Sequence, residues 1–118
     1  MLELQAGLAD ASRERAAHRA AEEILVVDPE WAEAFPGFLR GYQDTVEGMA
    51  RALADDDRED LQFMAHRIAG GLAAMGLHWA AEQARSIERE APDGAQEALV
   101  TYLTALREHL ARVRIEAA

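Results

Sequence analysis

Four histidines, His18, His66, His78 and His109, are the only side chains in this sequence with the nitrogen chemistry for nucleophilic or proton-transfer work. Cysteine is absent, which removes thiolate nucleophiles, disulfides and cysteine-based zinc sites. Ser12 and Ser86 are the only serines, and no glycine-rich phosphate loop is present. No His-x-x-x-His or His-Glu-x-x-His occurs, and His66 and His78 fall on different helix faces, so no metal site is expected. His18 and His109 lie in polar helical surroundings, and His78 follows Gly76-Leu77 at a helix start. Carboxylates are plentiful, but in an acidic helical chain they read as solvated faces.

His66 stands apart because its place on a helix can be worked out. Leu61, Ala65, Ile68, Leu72 and Met75 step by four and three residues, the spacing of a buried seam. At about 100° per residue, His66 lies roughly 150° from the centre of that seam and faces solvent. Glu59, Gln62, Gly70 and Ala73 share the outer face, with Ala69 on its flank. Glycine inside a helix costs about 1 kcal/mol relative to alanine, yet Gly70 and Gly71 follow one turn after the histidine. What they offer is clearance, room for an imidazole to carry a bulky group and for another protein to approach it. Periodicity alone leaves open that His66 is an ordinary surface histidine and the glycines incidental.

The elements that position this face are helical. The expected class is all-α: an antiparallel up-down four-helix bundle over about residues 28–116 with an additional N-terminal helix over about 2–27, in a single domain of residues 1–118. Ile24-Leu25-Val26-Val27 has no second strand to pair with in this reading, so it closes the first helix against the core. Asp28-Pro29-Glu30 predicts an N-cap, a first-turn proline and a dipole-favoured acid. Pro36-Gly37 then predicts a short entry helix or a kink. A second seam follows in Phe35, Leu39, Tyr42, Val46, Met49 and Leu53. Asp56 with Glu59 reads as a capping-box start for the histidine helix, and Gly76 as its left-handed exit. Leu77, Ala80, Ala81, Ala84, Ile87 and Ala91 line the next helix, which Pro92-Asp93-Gly94 ends. Leu99, Leu103, Leu106, Leu110 and Val113 line the last.

Composition limits the function classes. Twelve basic against 22 acidic residues give a formal net charge of -10, the wrong sign for a nucleic-acid surface. No window has the 18 or so uncharged apolar residues of a membrane span, and no signal-peptide layout opens the chain, so a cytoplasmic protein is expected. Every basic residue is Arg, and neither Lys nor Asn occurs.

The run Ala65-His66-Arg67-Ile68-Ala69-Gly70-Gly71-Leu72-Ala73-Ala74-Met75-Gly76-Leu77 resembles the signature of histidine-containing phosphotransfer (HPt) domains. That signature is a histidine, an apolar residue two later, usually Lys then Gly, small residues, and a closing Gly-apolar pair. His66, Ile68, Gly70, Gly71, Ala73, Gly76 and Leu77 fall in register, and the resemblance runs from about Asp28 to the C-terminus. It implies that His66 is a phosphoacceptor, taking a phosphoryl group from a receiver-domain aspartate and passing it to another in a two-component phosphorelay. It implies a phosphocarrier without kinase activity of its own, with no cofactor on this chain and magnesium on the partner receiver. The implied partners are response-regulator receiver domains and a hybrid sensor histidine kinase, meeting a monomer on a face that includes Glu59, Gln62, Phe63, Gly70 and Gly71. Arg67, Ala69, Gly70 and Ala73 would form the phosphate environment. The chain departs from the family where it has Ala69 in place of the usual lysine, three residues after the histidine. Arg67, or an arginine of a neighbouring helix, is the expected substitute. The alternative is a phosphorylation-incompetent bundle that binds a receiver or kinase as a scaffold.

Overall fold

The computed structural model describes residues 23–118; His18 and residues 2–22 of the expected N-terminal helix lie outside them. In chain order the elements are β1 (Glu23–Val27), α1 (Pro29–Ala32), α2 (Phe35–Ala54), α3 (Arg58–Ala74), α4 (His78–Glu90), α5 (Gln96–Ala111) and β2 (Val113–Ala117). The structure is mostly helical, as expected, and the seams read from the sequence form its core. Leu61, Ala65, Ile68, Leu72 and Met75 of the α3 seam are all buried, as are Leu99, Leu103, Leu106 and Leu110 of α5. In the α2 seam Leu39, Val46, Met49 and Leu53 are buried, with Phe35 and Tyr42 packed against them at the margin.

Contacts between specific pairs show how the four long helices surround this core. Tyr42 packs at Gly71 and Gly48 at Met64, joining α2 to α3. Gln62 donates to the Glu88 carbonyl, joining α3 to α4. Trp79 lies 4.6 Å, centroid to centroid, from the His109 ring, joining α4 to α5. Gln43 donates to the Leu110 carbonyl, Arg107 to Glu47, and Gln96 to the Leu53 carbonyl, closing α5 back on α2. Between α3 and α4 the facing residues are small: Ala65, Ala69, Ala80, Ala81 and Ala84 are all buried, so methyls rather than long side chains set the distance between the helices.

The helix ends follow from backbone accounting. Asp56 adopts φ 55° and lets Asp57 N–H reach back to the Ala52 carbonyl at 2.8 Å, the six-to-one bond of a Schellman close. Asp56 is thereby used in ending α2, and the cap of α3 passes to Asp57, whose side chain accepts from Asp60 N–H at 3.1 Å. That shifts the cap one residue from the Asp56 expected. Gly76 closes α3 in the same way, with φ 86° and Leu77 N–H bonded to the Leu72 carbonyl at 2.9 Å. At α1, Pro29 takes the first-turn position, but Asp28 makes no side-chain cap; only its carbonyl is used, by Trp31 N–H at 2.9 Å.

Both ends of the described chain depart from the all-α expectation. Glu23–Val27 is a strand, and it pairs in parallel with Val113–Ala117 in the register Glu23↔Val113 to Val27↔Ala117. The partner strand absent from the sequence reading is therefore the segment after α5, which ends at Ala111 instead of carrying Val113 in its helical seam. Parallel neighbours need a long crossover, and here the whole helical body serves as one. Val27 and Val113 are buried, while Ile24 and Val26 point outward at 50% and 61% exposure. No helix among the described residues is long and apolar enough to cross a membrane.

Candidate functional site

α3 carries the site, and its cap and seam fix the rotation at which His66 emerges. The residue is exposed, as its phase predicted, with 73% of its side chain accessible, but it leans toward α4. There its Nδ1 lies 2.8 Å from Oε2 of Glu88. An ionised carboxylate only accepts, so Nδ1 carries the proton and the lone pair of the neutral ring is left on Nε2, which no hydrogen bond engages among the described residues. Glu88 is itself anchored from α3, since Gln62 Nε2 donates to its main-chain carbonyl at 3.0 Å. Two residues of α3 one turn apart thus meet the same residue of α4, and the contact with its carboxylate favours one orientation of the exposed ring.

Glu88 went unrecognised in the sequence, where it is one of 22 acids. A signal existed: the three-residue turn after Ala74 makes α4 the neighbour of α3, and Glu88 sits one residue past the buried Ile87 on its flank.

The other expected residues divide into three groups. Glu59, Phe63 and Gly70 are exposed and Gln62 and Ala73 half-buried, all on α3. A Cβ placed on Gly70 would meet nothing within 4 Å, so the clearance inferred there is present. Gly71 differs from its neighbour. Its Cβ would lie 2.7 Å from Cε1 and Cζ of Tyr42 and closer still to the hydroxyl, so this glycine makes room for an aromatic ring between α2 and α3. Ala69 is buried at 3% exposure as part of the core, not on the outer flank. Arg67 is exposed but belongs to the opposite side of α3 from Glu88. Its guanidinium sits 5.6 Å from the Phe63 ring centroid, and it borders a groove with Tyr42, Thr45 and Gly48. The structure therefore does not bring Arg67 and His66 together.

Two further histidines lie among the described residues. His78 is exposed at the first position of α4. His109, expected in polar surroundings, is 1% exposed, covered by Trp79 and paired through Nε2 with the Glu23 carboxylate of β1. Periodicity missed this because the covering residues come from elements distant in the chain. Among the described residues no group of three His, Asp or Glu side chains is placed to hold a metal ion.

A family model described as Hpt domain matches residues 36–116, more than half of the chain, taking in α2 from its second residue and all of α3 to α5. The chain belongs to the Hpt domain family. Membership gives an Hpt protein a phosphotransfer role in two-component signalling, and such domains are phosphocarriers rather than kinases. No curated protein and no solved structure matches the chain.

Proposed function

We propose that this Hpt domain is a phosphocarrier whose phosphoacceptor is His66. The observation that carries the reading is the pair His66–Glu88: a solvent-facing imidazole, inside the Hpt match, whose Nδ1 is occupied and whose Nε2 takes part in no hydrogen bond among the described residues. In the step proposed, the Nε2 lone pair attacks the phosphorus of a receiver aspartyl phosphate. The N–P bond forms as the P–O bond to the aspartate breaks, and the aspartate leaves as a carboxylate. Nδ1–H stays on Glu88, so positive charge on the phosphorylated ring is balanced beside a fixed anion. Onward transfer to a second receiver reverses these roles. Magnesium is supplied by the receiver, because phosphoryl transfer depends chiefly on positioning and charge neutralisation and this chain contributes the positioning. The four helices serve as an antiparallel up-down bundle, supported by the opposed pairs Gln43 with Leu110 and Gln96 with Leu53. A single copy acting in the cytoplasm suffices, with a hybrid kinase as the upstream source.

The second reading, a scaffold that binds a receiver without being phosphorylated, is favoured by the buried methyl of Ala69 and by the position of Arg67 over Phe63. One experiment separates the two. The protein is incubated with a phosphorylated receiver and assayed for acid-labile phosphate. Label on the wild type that is absent from His66→Gln supports the carrier. Receiver binding without label supports the scaffold, and label persisting in His66→Gln overturns His66 as the acceptor.

A further inference from the structure

Any domain that exchanges phosphate with His66 must bring its own reacting atom to Nε2, so the surface of α3 around the histidine is contact surface; the inference that follows rests on the reading just proposed. That surface has a direction. Toward the start of α3 it carries the exposed acids Glu59 and Asp60, the cap Asp57, and Phe63 at 58% exposure. These four border one shallow depression. Toward the end of α3 it carries Gly70, Ala73 and Ala74, with no charge and little relief.

The acidic end is not neutralised locally. Arg58, the cation of that turn, points inward: one terminal nitrogen donates to the carbonyls of Ala91 and Gly94 at 3.0 and 2.9 Å, and Nε donates to Asp56. Only 22% of its side chain is accessible. Arg67 is spread over the Phe63 ring. Among the described residues Glu59 and Asp60 form no ion pair, and the rest of the Phe63 ring remains open.

We infer that the partner is a receiver domain whose surface beside its phosphorylated aspartate carries basic side chains around an apolar residue, and that this segment lands on the Asp57–Phe63 end of α3. An uncharged, closely approaching segment of the partner then covers Gly70 to Ala74. Unpaired surface carboxylates attract basic groups across a Debye length of about 8 Å at physiological salt and mainly raise the association rate. An exposed aromatic ring supplies an anchor of the kind interfaces favour. The small residues at the other end let the partner's backbone come close. Charge at one end and its absence at the other fix which way round the receiver docks, so recognition and alignment at Nε2 come from one face.

The probe is a receiver domain with arginines flanking its phosphorylation site, alongside the same domain with those arginines changed to glutamate. Glu59→Gln/Asp60→Asn is compared with Glu33→Gln/Glu108→Gln, which changes net charge equally at the C-cap of α1 and on α5. Transfer from the arginine-bearing receiver to the first variant is expected to slow about five- to tenfold at low salt and to converge with wild type at high salt. The second variant is expected to stay within about twofold of wild type. Equal slowing in both variants, no slowing in either, or a preference for the glutamate-bearing receiver overturns the inference. Labelling by phosphoramidate, a small donor that needs no docking, is expected to be unchanged in every variant. Its failure on the wild-type protein would count against His66 as acceptor, and docking is then judged by receiver affinity for the same variants.

Discussion

Gly70 and Gly71 are adjacent, both lie in the interior of α3, and are expected to respond oppositely to the same substitution. Replacing a mid-helix glycine with alanine gains about 1 kcal/mol from backbone propensity alone. At Gly70 the new methyl meets nothing within 4 Å, so Gly70→Ala is expected to stabilise the fold by about that amount. At Gly71 the same gain is opposed by overlap with Tyr42, whose ring carbons would lie 2.7 Å from the new Cβ. Either the ring leaves the groove or α2 and α3 part, and overpacking of this kind costs about 1–3 kcal/mol. The net expectation for Gly71→Ala is a loss of about 0–2 kcal/mol, so the two variants differ by about 1–3 kcal/mol. Equilibrium urea unfolding of both variants measures this directly, and a difference of 1 kcal/mol corresponds to about 4 °C in Tm for a domain of this size. Tyr42→Ala combined with Gly71→Ala should recover the propensity gain, because the ring is gone. Equal stability of the two single variants would refute the assigned role of Tyr42. Function should follow the opposite ranking: Gly70→Trp is expected to keep the helical fold yet block transfer from a receiver, and normal transfer would refute the clearance argument.

Two further perturbations test the anchors on either side of the site. Glu88→Ala frees the His66 ring and its tautomer, so labelling by phosphoramidate should slow about tenfold, with nitrogen NMR showing a mixture of ring tautomers in place of one; an unchanged tautomer would show that Glu88 does not set it. Glu23→Ala removes the carboxylate that pairs with buried His109 and should cost about 1–3 kcal/mol, with a change in Trp79 fluorescence before global unfolding as β1 loosens. Unaltered stability would mean that this pair does not fasten the strand.

The parts legible in the sequence were those in which the burying partner leaves a periodic trace. Leu61, Ile68 and Leu72 mark their seam because one helix face meets one core, and the same phase put His66 outside. Clearance at Gly70 was legible for the same reason. The strand pair was not, since Val113 continues the phase of Leu99, Leu103, Leu106 and Leu110 and so passes for another helical turn. Ile24 to Val27 likewise had no visible partner, because that partner lies 90 positions away in the register Glu23↔Val113. Gly71 shows the limit at the site itself. Its neighbour's openness and its own crowding differ only through Tyr42, a ring on another helix. Glu88 and Ala69 were hidden in the same way: their roles arise where α3 meets α4, and a single helix's periodicity does not encode that meeting.

The parallel pairing of β1 with β2 also has a mechanical consequence. Tension applied across Glu23 and Ala117 pulls β1 at its first residue and β2 at its last, from opposite ends of a shared ladder. The two strands are then loaded in shear, so their hydrogen bonds must give way together instead of opening one after another. The helices between them carry no load until that happens. A force on this chain is therefore met first by ten residues of sheet, while the histidine helix stays in place.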